Sequence, residues 1–174
     1  MMFSERTLKL AEITVDWLKS RKLRIVTAES CTGGLIAGAL TAIPGSSEVV
    51  YGGFVTYANE AKQRMINIPG PLIEEYGAVS EQVARAMAAG ALETSGADMC
   101  ISVSGIAGPG GGSVEKPVGL VHFGWAMKGK VHGVEMGGKT HHMKKEFGDI
   151  GRDNVRMETL NCALDMVLEM LDGM

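Results

Sequence analysis

Cysteine is scarce in this chain. Cys31, Cys100 and Cys162 are the only three, far apart and never arranged as CxxC. An odd, scattered set excludes a disulfide framework and a cysteine-built zinc site, and it points to reduced thiols in the cytoplasm. A basic surplus is lacking too: 17 Lys and Arg against 20 Asp and Glu leave a formal net charge of -3. That balance argues against a protein that works on nucleic-acid backbones. No apolar stretch approaches the ~20 residues needed to span a bilayer, and the opening run MMFSERTLKLAEITVDWLKSRK is amphipathic, without a signal-peptide core. Carboxylate-rich metal motifs are absent, and His141-His142 has no third ligand at metal-binding spacing. The expectation is a soluble cytoplasmic protein with no nucleic-acid partner, no membrane, no metal and no cofactor.

What is present suits a folded core. With 174 residues, 45% of them hydrophobic and 21% charged, the chain fits one domain over residues 1–174 and excludes wholesale disorder. Glycine is in excess: 24 residues, about twice the usual share of ~7%. Without a collagen-like period, these glycines must serve particular turns and close backbone approaches.

Leu8, Ala11, Val15 and Leu18 share one face at helical spacing, so residues 4–20 read as an opening helix with Ser4 as N-cap. The apolar run over 23–27 reads as a buried parallel strand, followed by a helix from ESCTGG to Pro44. A strand is expected within 46–58, with Gly52-Gly53 permitting a bulge, then a short helix over 59–65. Pro69-Gly70-Pro71 breaks the chain, and Ser80 caps a helix carrying Val83, Met87, Ala91 and Leu92. A buried strand over 98–104 precedes two strands over 118–127 and 130–137, joined by a Lys128-Gly129 hairpin turn. A helix over 152–171 closes the chain. Alternating units of this kind predict the α/β class: a three-layer α/β/α sandwich with a mixed, mostly parallel sheet.

In such sheets, ligands gather where strand ends lead into helices. Three segments fall there. In Ala28-Glu29-Ser30-Cys31-Thr32-Gly33-Gly34, Ser30 is placed near the positive end of a helix dipole, which favours a developing alkoxide or a bound anion. Alternatively Ser30 or Thr32 caps the helix, and Cys31 is a rival nucleophile unless it is an inert small residue. In Tyr57-Ala58-Asn59-Glu60-Ala61-Lys62, a neutral Lys62 can deprotonate a serine if burial lowers its pKa, with the Tyr57 hydroxyl relaying a proton or orienting the substrate. The bland alternative is a solvent-exposed lysine. The run from Ser104 and Gly105 through Ala107, Gly108, Gly110 and Gly111 to Ser113 can turn several N–H groups toward one anion, or be a mobile surface loop. It is neither a Walker A loop nor a dinucleotide fingerprint.

Other candidates are weaker. The run GGKTHHMKK reads as a solvated connection, and His122 and His132 fall within predicted strands as structural residues. Arg152 and Arg156, four apart on the last helix, can together receive a carboxylate or phosphate.

Taken in order, VTAESCTGGLIAGALTAIPGSSEVVYGGFVTYANEAKQRM, GAVSEQVARAMAAGAL, SGIAGPGGGSVEKPVGLVHF and GRDNVRMETLNCAL resemble the CinA C-terminal domain family over nearly the whole chain. The resemblance implies a nicotinamide-nucleotide amidase that converts nicotinamide mononucleotide to nicotinate mononucleotide and ammonia. It implies Ser30 as nucleophile, Lys62 as general base and Tyr57 beside them. The backbone at Cys31 and Thr32 would serve the oxyanion, Gly33 would belong to the substrate-binding residues, and the glycine loop with Arg152 would hold the phosphate or polar parts of the pyridine nucleotide. Ser104 stands where the family usually has threonine, which keeps the hydroxyl. The approach to the last helix reads Phe147-Gly148-Asp149-Ile150-Gly151-Arg152 in place of a compact F-x-G-D-R. Longer members carry an N-terminal molybdopterin-binding-like domain that has no counterpart in these residues. Two further readings stand beside the amidase: a non-catalytic nucleotide-binding module linked to competence or DNA damage, and an amidase acting on another phosphorylated amide. A homodimer is expected, as is common for small α/β enzymes.

Overall fold

The computed structural model describes residues 2–131, 134–135 and 139–173. Helix α1 (Glu5–Arg21) begins at Ser4, whose hydroxyl accepts the Thr7 N–H at 3.1 Å, and leads into strand β1 (Ile25–Glu29), buried at every position. Helix α2 (Leu35–Thr41), strand β2 (Val50–Val55), α3 (Asn59–Ile66), α4 (Gly70–Tyr76) and α5 (Glu81–Ser95) follow. Next come β3 (Met99–Gly105), β4 (Leu120–Met127), β5 (Lys130–Val131), β6 (Val134–Glu135), β7 (Thr140–Glu146) and α6 (Arg152–Asp172).

The main sheet has the order β2-β1-β3-β4-β7; β1 runs parallel to β2 and β3, whereas β4 is antiparallel to β3 and β7. Because side chains alternate along a strand, the central strands feed two cores. Ile25, Ile101 and Phe123 pack with Val15 and Leu18 of α1, Leu40 of α2 and Leu164 of α6. Val26, Ala28 and Cys100 pack with Ile66 of α3, Ile73 of α4 and Met87 of α5. The result is the three-layer α/β/α sandwich with a mixed, open sheet that the element pattern predicts. Among the described residues, no helix is long and apolar enough to cross a membrane.

Two expectations are corrected. Among the described residues, β4 does not pair with the segment after the Lys128-Gly129 turn; β5 and β6 pair with each other, Lys130 opposite Glu135, and β4 pairs with β7. The run around His141-His142 is therefore a sheet edge and not a solvated connection. An edge strand needs only one neighbour, and its charged side chains discourage further pairing. His132, with the rest of 132–133 and 136–137 of the predicted strand, lies outside the described residues. The Pro69-Gly70-Pro71 run does break the chain, but it also starts α4: Pro71 lies in the first helical turn, where its missing N–H costs nothing.

One close approach fixes the helix that carries Lys62. Gly90 of α5 lies against Ile66 of α3, so closely that a Cβ at Gly90 would overlap the Ile66 carbonyl.

Candidate active site

Strand β1 ends at Glu29, a carboxylate with no exposed surface. It accepts hydrogen bonds from the hydroxyls of Thr27 (3.1 Å) and Thr32 (2.6 Å) and from the backbone N–H groups of Gly34 (3.0 Å), Ile36 (3.1 Å) and Ala37 (2.9 Å). The first turn of α2 is thus satisfied by Glu29, and neither Ser30 nor Thr32 caps it. The positive end of α2, near which Ser30 is expected, is also met by this internal carboxylate.

The intervening turn bends through Gly33 (φ +63) and Gly34 (φ +98), a backbone region that favours glycine. The Gly33 N–H donates to the Ser30 carbonyl at 3.1 Å, and the Ser30 N–H donates to Val103 of β3 at 3.0 Å. Arg156, half-buried on α6, holds the outside of this turn. Its Nε donates to the Cys31 carbonyl at 3.2 Å and its Nη2 to the Thr32 carbonyl at 3.1 Å.

Lys62 is only 1% exposed. Its Nζ lies 3.2 Å from Ser30 Oγ, and it donates to the carbonyls of Thr56 (2.8 Å) and Tyr57 (3.4 Å). Burial pushes the Lys62 pKa down; a charged Cys31 thiolate would act in the other direction, and no carboxylate is among the charges acting on it. A neutral amine has two N–H groups and one lone pair. The partners are two carbonyls and the Ser30 hydroxyl: an ammonium donates to all three, and a neutral amine donates to the carbonyls and leaves a lone pair for the Ser30 proton. Cys31 is a poor rival: burial pushes its thiol up to about 12, with Glu29 adding to the rise.

These groups open into a cleft of about 270 Å³. Ser30, Cys31, Tyr57 and Lys62 line it from the first two segments; Ser104, Gly105, Ala107, Gly108, Gly110 and Gly111 line it from the third. Arg152 also lines it, donating to the Gly108 carbonyl at 2.9 Å and to the Tyr57 hydroxyl at 2.8 Å. The Tyr57 hydroxyl therefore bonds Arg152, while its carbonyl meets Lys62. The N–H groups of Ala107, Gly108, Gly110 and Gly111 have no backbone acceptor among the described residues.

Thr32 and Gly33 do not reach the cleft. The Thr32 hydroxyl is fully buried on Glu29, and both residues shape the turn instead. Arg156 is likewise occupied by two carbonyls, so the expected pairing of Arg152 and Arg156 around one anion is corrected: only Arg152 faces the cleft. His122 and His142 meet elsewhere, Nδ1 to Nε2 at 2.8 Å, with Glu81 3.4 Å from His142. No group of three His, Cys, Asp or Glu among the described residues can hold a metal.

Sequence reasoning missed Asn59, Ala78, Val79 and Ile106 as lining residues. Asn59 was detectable, because it stands three positions before Lys62 on α3, a spacing that puts both on one helix face. Ala78 and Val79 gave no chemical signal. They arrive through the tertiary fold, where the Ser104 hydroxyl donates to the Ala78 carbonyl at 2.7 Å.

Comparison with known proteins adds to this picture. The family model described as the CinA C-terminal domain matches residues 7–171. A CinA-like protein of Akkermansia muciniphila is 54% identical over 127 residues, which is 73% of this chain and 31% of that protein. A CinA-like protein of Citrifermentans bemidjiense is 46% identical over 164 residues, 94% of this chain and 37% of that one. The chain thus spans about a third of the length of these curated relatives. Among solved structures, the competence/damage inducible protein CihA of Agrobacterium tumefaciens superposes with a TM-score of 0.90 at 45% identity, covering 98% of both chains. A CinA superfamily protein of Klebsiella pneumoniae gives 0.87 at 31% identity, covering 97% of this chain and 99% of that one.

Proposed function

The chain belongs to the CinA C-terminal domain family, and from that premise we propose that it hydrolyses the carboxamide of nicotinamide mononucleotide to nicotinate mononucleotide and ammonia. The observation that carries the proposal is the buried Lys62 amine at 3.2 Å from Ser30 Oγ, beside a cleft lined by the glycine loop.

In the first step, neutral Lys62 takes the Ser30 hydroxyl proton as Oγ bonds to the amide carbon. The carbonyl π electrons move onto oxygen. The N–H of Cys31, the cleft-lining residue next to Ser30, is the backbone donor for that oxyanion, whereas the Ser30 N–H is committed to Val103. Lys62 then passes its proton to the amide nitrogen, the C–N bond breaks and ammonia leaves. Water attacks the Ser30 ester with Lys62 again as base, and the returning proton restores the serine.

Remote binding makes the attack efficient, because a held substrate reacts from a fixed geometry. The glycine-loop N–H groups, without a backbone acceptor among the described residues, and the Arg152 guanidinium suit a phosphate. The residues present require no metal and no cofactor for this chemistry.

The test is to incubate the purified protein with nicotinamide mononucleotide and follow both ammonia and nicotinate mononucleotide. Stoichiometric formation of both, abolished in Ser30→Ala, supports the proposal. Undiminished turnover in Ser30→Ala rejects the serine mechanism. Ammonia release only from other phosphorylated amides rejects the substrate, and saturable nucleotide binding without turnover rejects the enzyme.

A further inference from the structure

We infer that Asn59 is a specificity-determining residue of the cleft, its side-chain carbonyl accepting a hydrogen bond from the NH2 group of the substrate carboxamide; this rests on the serine mechanism above.

Asn59 opens α3 and lines the cleft. It stands three positions before Lys62, a spacing that puts both residues on one helix face with about 5–6 Å between their Cβ atoms. Lys62 Nζ lies 3.2 Å from Ser30 Oγ. Asn59 is therefore one helical turn from the amine that exchanges protons with the substrate.

The side chain is uncommitted. Asparagine near a helix start ordinarily bonds nearby backbone, yet the N-cap of α3 is Ala58 and no side chain caps the helix. The other asparagines are engaged. Asn161 accepts from the Thr7 hydroxyl at 2.8 Å, Asn154 donates to the Ile150 carbonyl at 2.9 Å, and Asn67 donates to the Thr94 hydroxyl at 3.5 Å. Among the described residues the Asn59 amide has no such partner.

Chemistry selects what this amide meets. A carboxamide under attack turns its carbon to Ser30 Oγ and its oxygen to the Cys31 N–H. Its NH2 group remains, a pair of donors that needs an acceptor close to Lys62, the group that protonates it before it leaves. Among the described residues lining the cleft, Asn59 carries the only side-chain carbonyl, and no Asp, Glu or Gln is present. A carboxylate in this place would also accept, but its charge would hold Lys62 protonated and unfit as a base. The neutral amide accepts without charging the base. The ligand class that follows is a primary carboxamide. An ester of the same acid has no N–H to give, and the carboxylate product offers the Asn59 carbonyl only lone pairs.

The test compares nicotinamide mononucleotide with the methyl ester of nicotinate mononucleotide. With the ester, Ser30 Oγ bonds to the carbonyl carbon and the C–O bond breaks. Methanol leaves with the proton that Lys62 took from Ser30, and water hydrolyses the same acyl-enzyme. In Asn59→Leu the ratio of kcat/KM for amide over ester is expected to fall about 10–100-fold. Asn59→Asp keeps an acceptor, so its ratio falls less, while the acid limb of its kcat/KM moves up by about one pH unit as the new carboxylate stabilises the Lys62 ammonium. Parent activity on both compounds with an unchanged ratio in Asn59→Leu overturns this inference alone, as does an acid limb in Asn59→Asp that stays at the parent's pH. If Asn59→Leu does not fold, Asn59→Ala carries the same comparison. Parent protein that cleaves neither compound, or the ester alone, refutes the proposed amidase and this inference with it.

Discussion

Lys62 Nζ stands 3.2 Å from Ser30 Oγ, and the Thr56 and Tyr57 carbonyls accept from the same nitrogen. The lysine reaches this point because α3 starts immediately beyond β2 and is pressed against α5 at Gly90, while Ser30 leaves the neighbouring strand β1. A strand end and a helix start, adjacent in space and 32 residues apart in sequence, together bring one amine to one hydroxyl.

Lys62→Arg is expected to be as inactive as Lys62→Met. A guanidinium keeps its charge at any accessible pH and cannot take the serine proton. Each variant should lose about 10²–10⁴-fold in kcat, read as ammonia release under saturating substrate, with binding of the product nucleotide retained.

Cys31→Ala should keep most of the activity. Burial pushes the thiol up to about 12, so almost none is ionised at neutral pH. Iodoacetamide treatment of the native protein, followed by peptide mass spectrometry, should leave Cys31 unmodified under conditions that alkylate it in urea.

Glu29→Gln tests the turn itself. The carboxylate accepts five hydrogen bonds, and an amide presents two donors where only acceptors fit. Leaving buried N–H groups unsatisfied should cost about 2–4 kcal/mol. Thermal melting should show this as a fall of about 5–15 °C.

Gly90→Ala sets two effects against each other. Alanine favours a helix interior over glycine by about 1 kcal/mol, but here its Cβ overlaps the Ile66 carbonyl. The overlap is with backbone and should dominate, giving a net loss of about 1–3 kcal/mol. Because α3 must shift, Lys62 shifts too, and kcat should fall by more than the loss of folded protein explains. Denaturant melts paired with assays separate the two.

Much of the arrangement was legible in the sequence because its signals are local. Leu8, Ala11, Val15 and Leu18 announce α1, and the buried run before Ser30 announces β1. The ESCTGG, NEAK and glycine-loop segments stand out because reactive or glycine-rich residues follow strands. What was hidden depends on partners far along the chain. His141 and His142 look solvated until β4 supplies a neighbour for β7. Glu29 reads as one more residue of a motif, and only the folded turn reveals that it closes α2. Arg156 differs from Arg152 by a single helical turn, yet one grips the turn beside Ser30 and the other faces the cleft. Periodicity carries no information about that difference.

The central claim is that Lys62 is an uncharged amine at working pH. Burial lowers its pKa in the folded chain, while in the unfolded chain it holds its ordinary value. Between the two values the unfolded chain binds the extra proton, so this group makes stability rise with pH across that window. The base is competent only when unprotonated, so kcat/KM should rise as pH climbs through the lowered value and then level off. The decisive measurement is an NMR titration of the protein with 13C at lysine Cε, with Lys62 assigned by its absence in Lys62→Met. The account predicts one resonance titrating well below the bulk near ~10.4, with a midpoint matching the acid limb of kcat/KM. A Lys62 resonance that titrates with the surface lysines would contradict it.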